Sequence, residues 1–271
     1  MKKTVLITGA SAGIGRATAI YLAENGYNVY GAARRVEKMA DLKSYGIKPI
    51  ALDVTVDESV EACVEQIFKE AGGGIDILVN NAGFGSEGAI EDVSKQDAKY
   101  QMEVNVFGAM HLTQLVLPKM RQNRYGKVIN ISSVGGKIAL PLGGWYHASK
   151  FAIEGLSDSL RMEVQSFGID VIVIEPGGVK SEWGDIAIEN LVRVSGNAAY
   201  KDMAKGAEKS FRKTEANNAE PIVIARLIKK AIEVSKPRTR YAGGNMAIPL
   251  LFLRSILSDR AFDRLIISQT K

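Results

Sequence analysis

The chain has 271 residues, of which 46% are hydrophobic and 24% are charged, as is ordinary for a globular protein with a substantial core. Its formal net charge is +5, but basic and acidic residues are interspersed along the sequence. The Lys/Arg-rich stretch 201–213 has no interleaved aromatic residues, so it predicts a solvated helix face. We therefore expect no nucleic-acid partner.

The single cysteine, Cys63, excludes an intrachain disulfide and is typical of a reducing compartment. It shares an apolar stripe with Val60, Val64, Ile67 and Phe68, which predicts packing in the core. The segment before the first glycine cluster is too short for a secretory signal, and no apolar run reaches the roughly 18 residues of a membrane span. These features predict a cytoplasmic protein.

Apolar runs typical of strands alternate along the chain with segments of helical periodicity. The predicted strands are residues 4–8, 28–32, 48–52, 75–80, 127–132 and 169–175, with a further candidate at 240–242. The predicted helices are 14–25, 36–45, 57–71, 97–121 and 146–167. Such alternation indicates right-handed βαβ units. We expect one α/β domain built on a doubly wound parallel sheet.

A glycine-rich segment joins the first predicted strand to the first predicted helix. Gly9, Gly13 and Gly15 let the backbone turn tightly and approach a pyrophosphate, whose charge the helix N-terminus favours. Glycine turns are also common for purely structural reasons, but this one has the strand-to-helix context that a nucleotide site requires. The segment therefore predicts a phosphate-binding turn.

Tyr146 and Lys150 stand four residues apart, and Ser133 follows an apolar run. On a helix, positions i and i+4 share one face, so the ammonium would lie beside a phenol of ordinary pKa about 10. We expect this charge to lower the phenol pKa and to let Tyr146 exchange a proton near neutrality. A serine hydroxyl could hold a substrate oxygen. The three groups suit the interconversion of a carbonyl and an alcohol.

These motifs belong to an ordered set that resembles the short-chain dehydrogenase/reductase family. The set spans residues 4–181 and comprises Thr8, Gly9, Gly13, Ile14, Gly15, Asp53, Val54, Asn80, Asn81, Ala82, Gly83, Asn105, Ser133, Tyr146, Lys150, Pro176 and Gly177. Residues 133–152 are most similar to the hydroxysteroid and retinol dehydrogenase branch. The resemblance implies a Rossmann-like single domain, with a cofactor-binding and catalytic core at 4–181, a helical substrate lid at 182–219 and a closing segment at 220–271.

The resemblance also implies roles for individual residues. The catalytic set would be Asn105, Ser133, Tyr146 and Lys150, with Asn105 kinking its helix and holding a water that links Lys150 to solvent. The cofactor contacts would be Gly9, Ser11, Gly13, Ile14, Gly15, Arg34, Arg35, Asp53, Val54, Asn81, Ala82, Gly83, Tyr146, Lys150, Pro176, Gly177, Val179 and Ser181. Ser133, Tyr146 and Trp183 would contact the substrate.

Several of these residues also have a simpler interpretation. Asp53 could cap the helix that follows instead of receiving the adenine amino group, and the turn at 80–83, where the resemblance places Asn81 near the ribose, could be an ordinary Asn/Gly turn. Asn105, a mediocre helix former, could be a solvent-facing or packing residue.

Two further choices concern the serine pair and the histidines. Ser132 and Ser133 cannot both face the substrate if the strand continues, because side chains alternate; the spacing to Tyr146 matches the family for Ser133. His111 and His147 have no partners at metal-ligand spacing, so we expect packing or surface roles and no metal.

The residues after the second predicted strand bear on the choice of nicotinamide cofactor. Ala33 occupies the position where the family places an NAD-selecting acid, and Arg34 and Arg35 follow. Guanidinium groups suit a 2′-phosphate, so the sequence predicts NADP(H) over NAD(H), with Arg34 as the main contact. Alternatively, the two arginines are surface residues at the start of a helix. In addition, Ala12 stands where some NADP-preferring members of the family have a basic residue.

The expected function is an NADP(H)-dependent oxidoreductase that interconverts a carbonyl and a secondary alcohol on an apolar, possibly steroid-like substrate. The alternative is a non-catalytic NADP(H)-binding regulator, and an epimerase or dehydratase stays open. The resemblance implies a homodimer or homotetramer formed through the helices at 97–121 and 146–167. Near the C-terminus, Leu250, Leu253, Leu257, Ala261 and Leu265 recur at helical spacing and predict a closing helix, packed on the domain or a neighbouring subunit rather than on a membrane.

Overall fold

The computed structural model describes residues 2–197 and 199–269, the side chain of Gln269 excepted. Within them, seven strands form one parallel sheet in the order β3-β2-β1-β4-β5-β6-β7. The strands are β1 (Thr4–Thr8), β2 (Asn28–Ala33), β3 (Lys48–Ala51), β4 (Ile77–Asn80), β5 (Gly126–Ile131), β6 (Ile169–Pro176) and β7 (Arg240–Gly243). Strand order reverses between β1 and β4, so a ligand crevice is expected outside their carboxyl ends.

Helices cover both faces of this sheet. They are α1 (Gly13–Glu24), α2 (Asp57–Ala71), α3 (Lys95–Met102), α4 (Gly108–Gln122), α5 (Gly144–Val164), α6 (Glu182–Ser195), α7 (Lys201–Glu215), α8 (Ile222–Glu233), α9 (Ala247–Ile256) and α10 (Asp259–Gln269). Short 3₁₀ segments lie at Val36–Tyr45, Val134–Gly136 and Gln165–Phe167, and a π-helical turn at Glu103–Phe107 joins α3 to α4. No helix among the described residues is long and apolar enough to cross a membrane.

The sheet is buried on both faces, because its strands send alternate apolar side chains into two layers. In β1, Val5 and Ile7 pack in one layer with α1 and α8, while Leu6 packs in the other with α2 and α4. Cys63 lies in this second layer, as predicted. The two-sided burial explains why the strand sequences read as nearly continuous apolar runs.

The six predicted strands, the candidate strand at 240–242 and the five predicted helices are all confirmed as elements, with small shifts of their ends. Residues 36–45, however, form 3₁₀ rather than α structure, with the fully buried Met39 and Leu42 three residues apart, which is the 3₁₀ period. The helix predicted at 97–121 begins at Lys95 and contains the π-helical turn.

The single closing helix predicted near the C-terminus is wrong. The chain turns extended at Leu257, which separates α9 from α10 and lets Phe262 of α10 become buried. Helix α9 also exposes Ile248, Phe252 and Ile256, an apolar face that the predicted leucine stripe did not include.

Residues 182–219 form a small helical layer of their own. Helices α6 and α7 pack around a separate apolar cluster of Ala89, Leu142, Ile188, Leu191 and Ala204, joined by Phe211. The lysines of α7 are exposed, as predicted for a solvated face.

Candidate active site

The glycine-rich turn after β1 is packed so closely that side chains would not fit. A Cβ on Gly15 would lie 2.4 Å from the Gly9 carbonyl oxygen, and a Cβ on Gly9 would lie 2.9 Å from the Asn81 amide nitrogen. Gly9 and Gly13 have positive φ angles of 69° and 53°, which favour glycine. The turn therefore brings bare backbone to the carboxyl edge of the sheet.

Thr8 and Asn81 clip this turn to the end of β4. The Thr8 hydroxyl accepts from the backbone N–H groups of Asn81 and Ala82 at 3.0 and 2.8 Å. The Asn81 amide donates to the carbonyl of Thr8 at 2.8 Å and to that of Gly9 at 3.4 Å. The Asn81 amide nitrogen is thus committed to the turn, and its predicted place near the ribose stays a prediction.

The N-terminus of α1 has the properties of an anion site. Its N-cap residue, Ala12, supplies no side-chain hydrogen bond, and the first turn holds no acidic residue. The N–H groups of a first helical turn have no acceptor within the helix, and the helix dipole favours negative charge there. A pyrophosphate would suit this position.

At the end of β2, both predicted arginines are exposed and already have partners. Arg34 donates to the Tyr100 hydroxyl at 2.8 Å, and Arg35 forms an ion pair with Glu182 at 3.1 Å. Lys38 lies 3.7 Å from the same Glu182 carboxylate. Arg35 and Lys38 thus flank one acid at the edge of the crevice, with Arg34 nearby in sequence, and these cations could bind a phosphate.

Asp53, after β3, makes a turn rather than a helix cap. Its Oδ1 accepts from the backbone and hydroxyl of Thr55 at 3.0 and 2.7 Å, whereas α2 begins at Asp57 with Val56 as its N-cap. The capping interpretation is therefore wrong. The adenine role of Asp53 stays a prediction.

Asn105 lies in the π-helical turn and is buried, so the solvent-facing interpretation is wrong. Its Oδ1 accepts from the Phe84 backbone N–H at 2.8 Å, and its Nδ2 donates to the Phe84 carbonyl and the Ser149 hydroxyl at 3.0 and 2.9 Å. The side chain thus fixes the loop after β4 against α5. The irregular helix agrees with the expected kink.

The two serines after β5 face different surroundings, as alternation predicts. The Ser133 hydroxyl accepts from the Gly135 N–H at 3.0 Å and also hydrogen-bonds Tyr146. The Ser132 hydroxyl is buried without a hydrogen-bond partner among the described residues, pressed against Gly136. Ser133 is therefore the serine that shares a site with Tyr146.

Tyr146 and Lys150 share the inner face of α5. The Lys150 Nζ lies 5.8 Å from the centre of the Tyr146 ring and donates to the Ile131 carbonyl at 2.9 Å. Lys150 is 7% exposed, and burial lowers its pKa to about 8. The phenol, ammonium and Ser133 hydroxyl are thus brought together.

The prediction that Lys150 lowers the pKa of the Tyr146 phenol is wrong for the chain by itself. Burial raises the pKa of Tyr146 to about 12; hydrogen bonding by Ser133 lowers it, and the nearby Glu87 charge raises it further. The ammonium of Lys150 does not offset this burial because it is directed to the Ile131 carbonyl. Tyr146 is therefore protonated at neutral pH, which is the form that can donate a proton.

The segment after β6 closes the crevice from the other side. Gly177 and Gly178 pair with the backbone of Gly243 and Asn245, and a Cβ on Gly177 would lie 2.2 Å from the Asn245 carbonyl oxygen. Ser181 begins α6 without using its side chain as a cap. A Cβ on Gly13 would lie 3.1 Å from the Ser181 Cβ, so this segment meets the glycine-rich turn.

Trp183 covers the catalytic side chains. Its ring lies 5.0 Å from the Tyr146 ring, centre to centre, and presses on Gly85, where an added Cβ would lie 2.5 Å from the indole. This contact places the first turn of α6 over the catalytic side chains, and the role of Trp183 as a substrate wall stays a prediction.

The predicted site residues therefore converge at the carboxyl ends of the strands: the glycine turn after β1, Arg34 after β2, Asp53 after β3, Asn81 after β4, Ser133 after β5 and Gly177 after β6. His147, by contrast, is structural. It bridges the Gly135 carbonyl at 2.9 Å and the Leu140 N–H at 3.0 Å, while His111 pairs with Asp57. Packing and surface roles for the histidines are confirmed.

Four residues at the site were not predicted from the sequence: Thr8 as a clip, Tyr100 and Glu182 as partners of the arginines, and Glu87 near Tyr146. The Thr8 position carries a weak signal, because a polar residue ending a buried strand needs a partner. The other three come from elements distant in sequence, and no spacing rule connects them to the site.

Comparison with known proteins agrees with this geometry. The family model described as short chain dehydrogenase matches residues 3–190. A 3-ketodihydrosphingosine reductase of Bacteroides thetaiotaomicron is 38% identical over 93% of this chain and 91% of its own length. An NADPH-dependent 3-dehydrocapnine reductase of Ornithobacterium rhinotracheale is 32% identical over 98% of this chain and 96% of its own. Retinol dehydrogenase 7 of Rattus norvegicus is 33% identical over 95% and 86%.

Solved structures show the same fold. A short-chain dehydrogenase from Streptomyces avermitilis superposes with a TM-score of 0.81 at 32% identity, covering 99% of this chain and 95% of its own. A serine dehydrogenase complexed with NADP⁺ has a TM-score of 0.78 at 26% identity, covering 90% and 95%. The family match, the relatives and the parallel sheet with its Ser133, Tyr146 and Lys150 site agree: the chain belongs to the short-chain dehydrogenase/reductase family.

Proposed function

We propose that the protein is an NADP(H)-dependent oxidoreductase that interconverts a carbonyl and a secondary alcohol on an apolar substrate. The observation that carries this proposal is the meeting of the Ser133 hydroxyl, the Tyr146 phenol and the Lys150 ammonium beside the glycine-rich turn. A regulator that only bound the nucleotide would have no physical need for this set.

In this proposal a bound nicotinamide supplies the hydride, and the chain manages the oxygen and its proton. The Ser133 hydroxyl holds the carbonyl oxygen, and the protonated Tyr146 donates to that oxygen as negative charge develops. Lys150 places a positive charge on the same side, where it would stabilise a phenolate left behind. Asn105 keeps the loop at Phe84 and the Ser149 position on α5 in register with these groups.

NADP(H) is the proposed cofactor because three cations, Arg34, Arg35 and Lys38, stand at the end of β2. Ala33 leaves no acid there to accept ribose hydroxyls or repel a 2′-phosphate. The relative from Ornithobacterium is named NADPH-dependent, which supports the choice. Other structures of this fold hold NADP or NAD, so the fold by itself does not decide it.

The substrate is proposed to bind beside Trp183 and Tyr146, with the 182–219 layer as its lid. This side of the site presents the Trp183 indole, which suits a bulky apolar molecule. Two of the relatives are named as reductases, of 3-ketodihydrosphingosine and of 3-dehydrocapnine, which supports a ketone as the oxidised substrate.

Exposed apolar side chains support assembly through the helices that the sequence analysis chose. Phe107, Phe151 and Met162, at the π-helical turn and along α5, are 56%, 47% and 62% exposed. We assign this face to a homodimer or homotetramer contact. The single buried Cys63 supports the proposed cytoplasmic location.

The test follows NADPH absorbance with a panel of long-chain ketones, 3-ketodihydrosphingosine, aldehydes, quinones and oxosteroids. We expect turnover of at least one apolar ketone, with NADH less effective than NADPH. Tight NADPH binding without turnover of any member of the panel would favour the regulator instead.

A further inference from the structure

Glu87 is a carboxyl group at the substrate side of the site that the proposed chemistry does not use. It belongs to the loop that follows β4, two residues after the Gly85 on which Trp183 rests. A Cβ on Gly143, at the start of α5, would lie 3.0 Å from the Glu87 Oε2 and 2.8 Å from the His147 Nε2. The carboxyl group thus points at the beginning of the helix that carries Tyr146.

Among the described residues, Glu87 has no hydrogen-bond or ion-pair partner. His147 cannot serve as one, because both of its ring nitrogens are engaged with the Gly135 carbonyl and the Leu140 N–H. Lys150 is directed to the Ile131 carbonyl. Buried or half-buried carboxyl groups are ordinarily paired, so an unpaired one beside a reacting group calls for a partner outside the chain.

The electrostatics around Glu87 favour a bound cation. Burial alone raises the pKa of Glu87 to about 8, with no positive group offsetting it. When charged, Glu87 in turn raises the pKa of the Tyr146 phenol. A cation bound next to Glu87 would stabilise the carboxylate and cancel its effect on Tyr146.

Aromatic rings at the same place favour an organic cation. Trp183 and Tyr146 lie 5.0 Å apart, centre to centre, and aromatic faces attract ammonium groups once water is excluded. A neutral hydroxyl would meet Glu87 but would gain little from the rings.

We propose that Glu87 binds a protonated amine on the carbon next to the reacting carbonyl, so that the protein selects α-amino ketones and the corresponding amino alcohols. Glu87 follows Gly85, on which Trp183 rests, and its carboxyl group faces the start of the helix that carries Tyr146, so an amine bound to it would lie beside the carbonyl that Tyr146 contacts. This inference rests on the proposed carbonyl reduction and adds a charged anchor to an otherwise apolar substrate.

The test compares three ketones of one chain length: 2-aminododecan-3-one, its neutral N-acetyl derivative and dodecan-3-one. Each is reduced with NADPH by the unchanged protein, by Glu87→Gln and by Glu163→Gln. Glu163 is an exposed acid on the same helix as Tyr146, about 25 Å further along its axis, so its variant removes one charge away from the site.

We expect the unchanged protein and Glu163→Gln to prefer the amino ketone over both neutral ketones by at least about tenfold in kcat/KM, as a charge-assisted contact gives. In Glu87→Gln the ratio should fall to near one, with NADPH affinity retained. Equal kcat/KM values for the three ketones in the unchanged protein, or a ratio unaffected by Glu87→Gln, would overturn the proposal while leaving carbonyl reduction intact.

If no ketone is reduced, the proposed function fails and the carboxyl group can still be judged by binding. The chain has two tryptophans, Trp145 and Trp183, and the latter lies on Tyr146, so its fluorescence reports occupancy. 2-Aminododecan-3-ol should bind more tightly than dodecan-3-ol to the unchanged protein and lose that advantage in Glu87→Gln. Equal affinities would reject the amine site.

Discussion

The cofactor side and the substrate side of the crevice differ in whether their polar side chains have hydrogen-bond partners within the protein. On the cofactor side, the Thr8 hydroxyl accepts from the backbone after β4, and the Asn81 amide donates to the backbone at the start of the glycine-rich turn. On the substrate side, Glu87 has no partner, and the Ser86 hydroxyl and the Trp145 indole N–H are buried without one among the described residues. The side chains of the cofactor side thus hold the protein's own backbone, whereas three polar side chains of the substrate side have no partner among the described residues.

This difference follows from what each side must recognise. A dinucleotide presents the same phosphates every time, so backbone N–H groups held by internal bonds suffice. A substrate varies between relatives, and side chains without internal partners can be exchanged without loosening the fold. Changes on the cofactor side should therefore damage binding and packing together, whereas changes on the substrate side should alter selectivity alone.

The largest expected effect is at the point where the two sides meet. Tyr146→Phe removes only the hydroxyl that donates a proton, so turnover should fall by at least ~10²-fold, the usual size of lost general acid catalysis. Kinetics with an active ketone, beside NADPH titration, measure this. Tyr45→Phe, at an exposed tyrosine, is the control. A Tyr146→Phe enzyme with nearly normal kcat would show that another group delivers the proton.

The next effect concerns the cofactor alone. Ala33→Asp combined with Arg34→Leu adds an acid for the ribose hydroxyls and removes a guanidinium that a 2′-phosphate would use. Loss of one charge-assisted contact costs roughly 1.5–3 kcal/mol, so NADPH affinity should fall by about ten- to hundredfold while NADH affinity rises. Dissociation constants of NADPH and NADH, measured for the unchanged protein and the double variant, test this prediction. Tighter binding of NADH than of NADPH by the unchanged protein would already contradict the assignment.

A glycine pair tests whether the cofactor side depends on its own packing. The Cβ of Gly15→Ala would lie 2.4 Å from a backbone oxygen that cannot swing aside, so unfolding free energy should fall by about 1–3 kcal/mol together with NADPH affinity. Gly155→Ala is the matched control, because a Cβ there, inside α5, meets nothing within 4 Å and should stabilise the helix by about 0.5–1 kcal/mol. Denaturant unfolding of both variants measures whether the free energy of unfolding falls in Gly15→Ala and rises in Gly155→Ala. Equal stabilities would mean that the turn relaxes freely.

On the substrate side, Trp183→Leu should change KM among bulky ketones by several-fold and leave the NADPH dissociation constant nearly unchanged. The indole contacts Tyr146 and Gly85 rather than the glycine-rich turn, which is the physical reason for the split. Should NADPH binding weaken as much as substrate binding, the two sides are not separable at α6.

Much of this architecture could be predicted because it depends on local pattern. Val5, Leu6 and Ile7 read as a strand buried on both faces, and parallel strands bring their carboxyl ends to one edge, which is why Ser133 and Tyr146 could be paired from sequence. The π-helical turn could not be predicted, since it depends on bonds between Asn105 and Phe84, 21 residues apart.

The pKa of the Tyr146 phenol could not be predicted from the sequence for a similar reason. The spacing of Tyr146 and Lys150 predicts proximity, but the pKa of the phenol is decided by burial under Trp183 and by Glu87, which come from other elements. The break between α9 and α10 at Leu257 likewise depends on the burial of Phe262 against the rest of the fold.

The smallest expected effect lies at the contact between the two sides. Glu182 opens α6, the first helix of the proposed lid, yet its carboxylate pairs with Arg35 and Lys38 at 3.1 and 3.7 Å on the cofactor side. Arg35 holds the pKa of that carboxyl below its usual range, so at neutral pH the Glu182 carboxylate would compete with the proposed 2′-phosphate for both cations.

Glu182→Gln should therefore tighten NADPH binding by about two- to fivefold, since exposed ion pairs contribute at most ~1 kcal/mol, and the gain should shrink as salt is added. NADH, which lacks the phosphate, should bind as before, and so should both nucleotides in the Glu163→Gln control. If NADH affinity rises equally, the substitution acts by loosening the lid over the whole cofactor, and Arg35 does not reach a phosphate. Selective tightening of NADPH would show that the first turn of the lid regulates the cofactor side through charge alone.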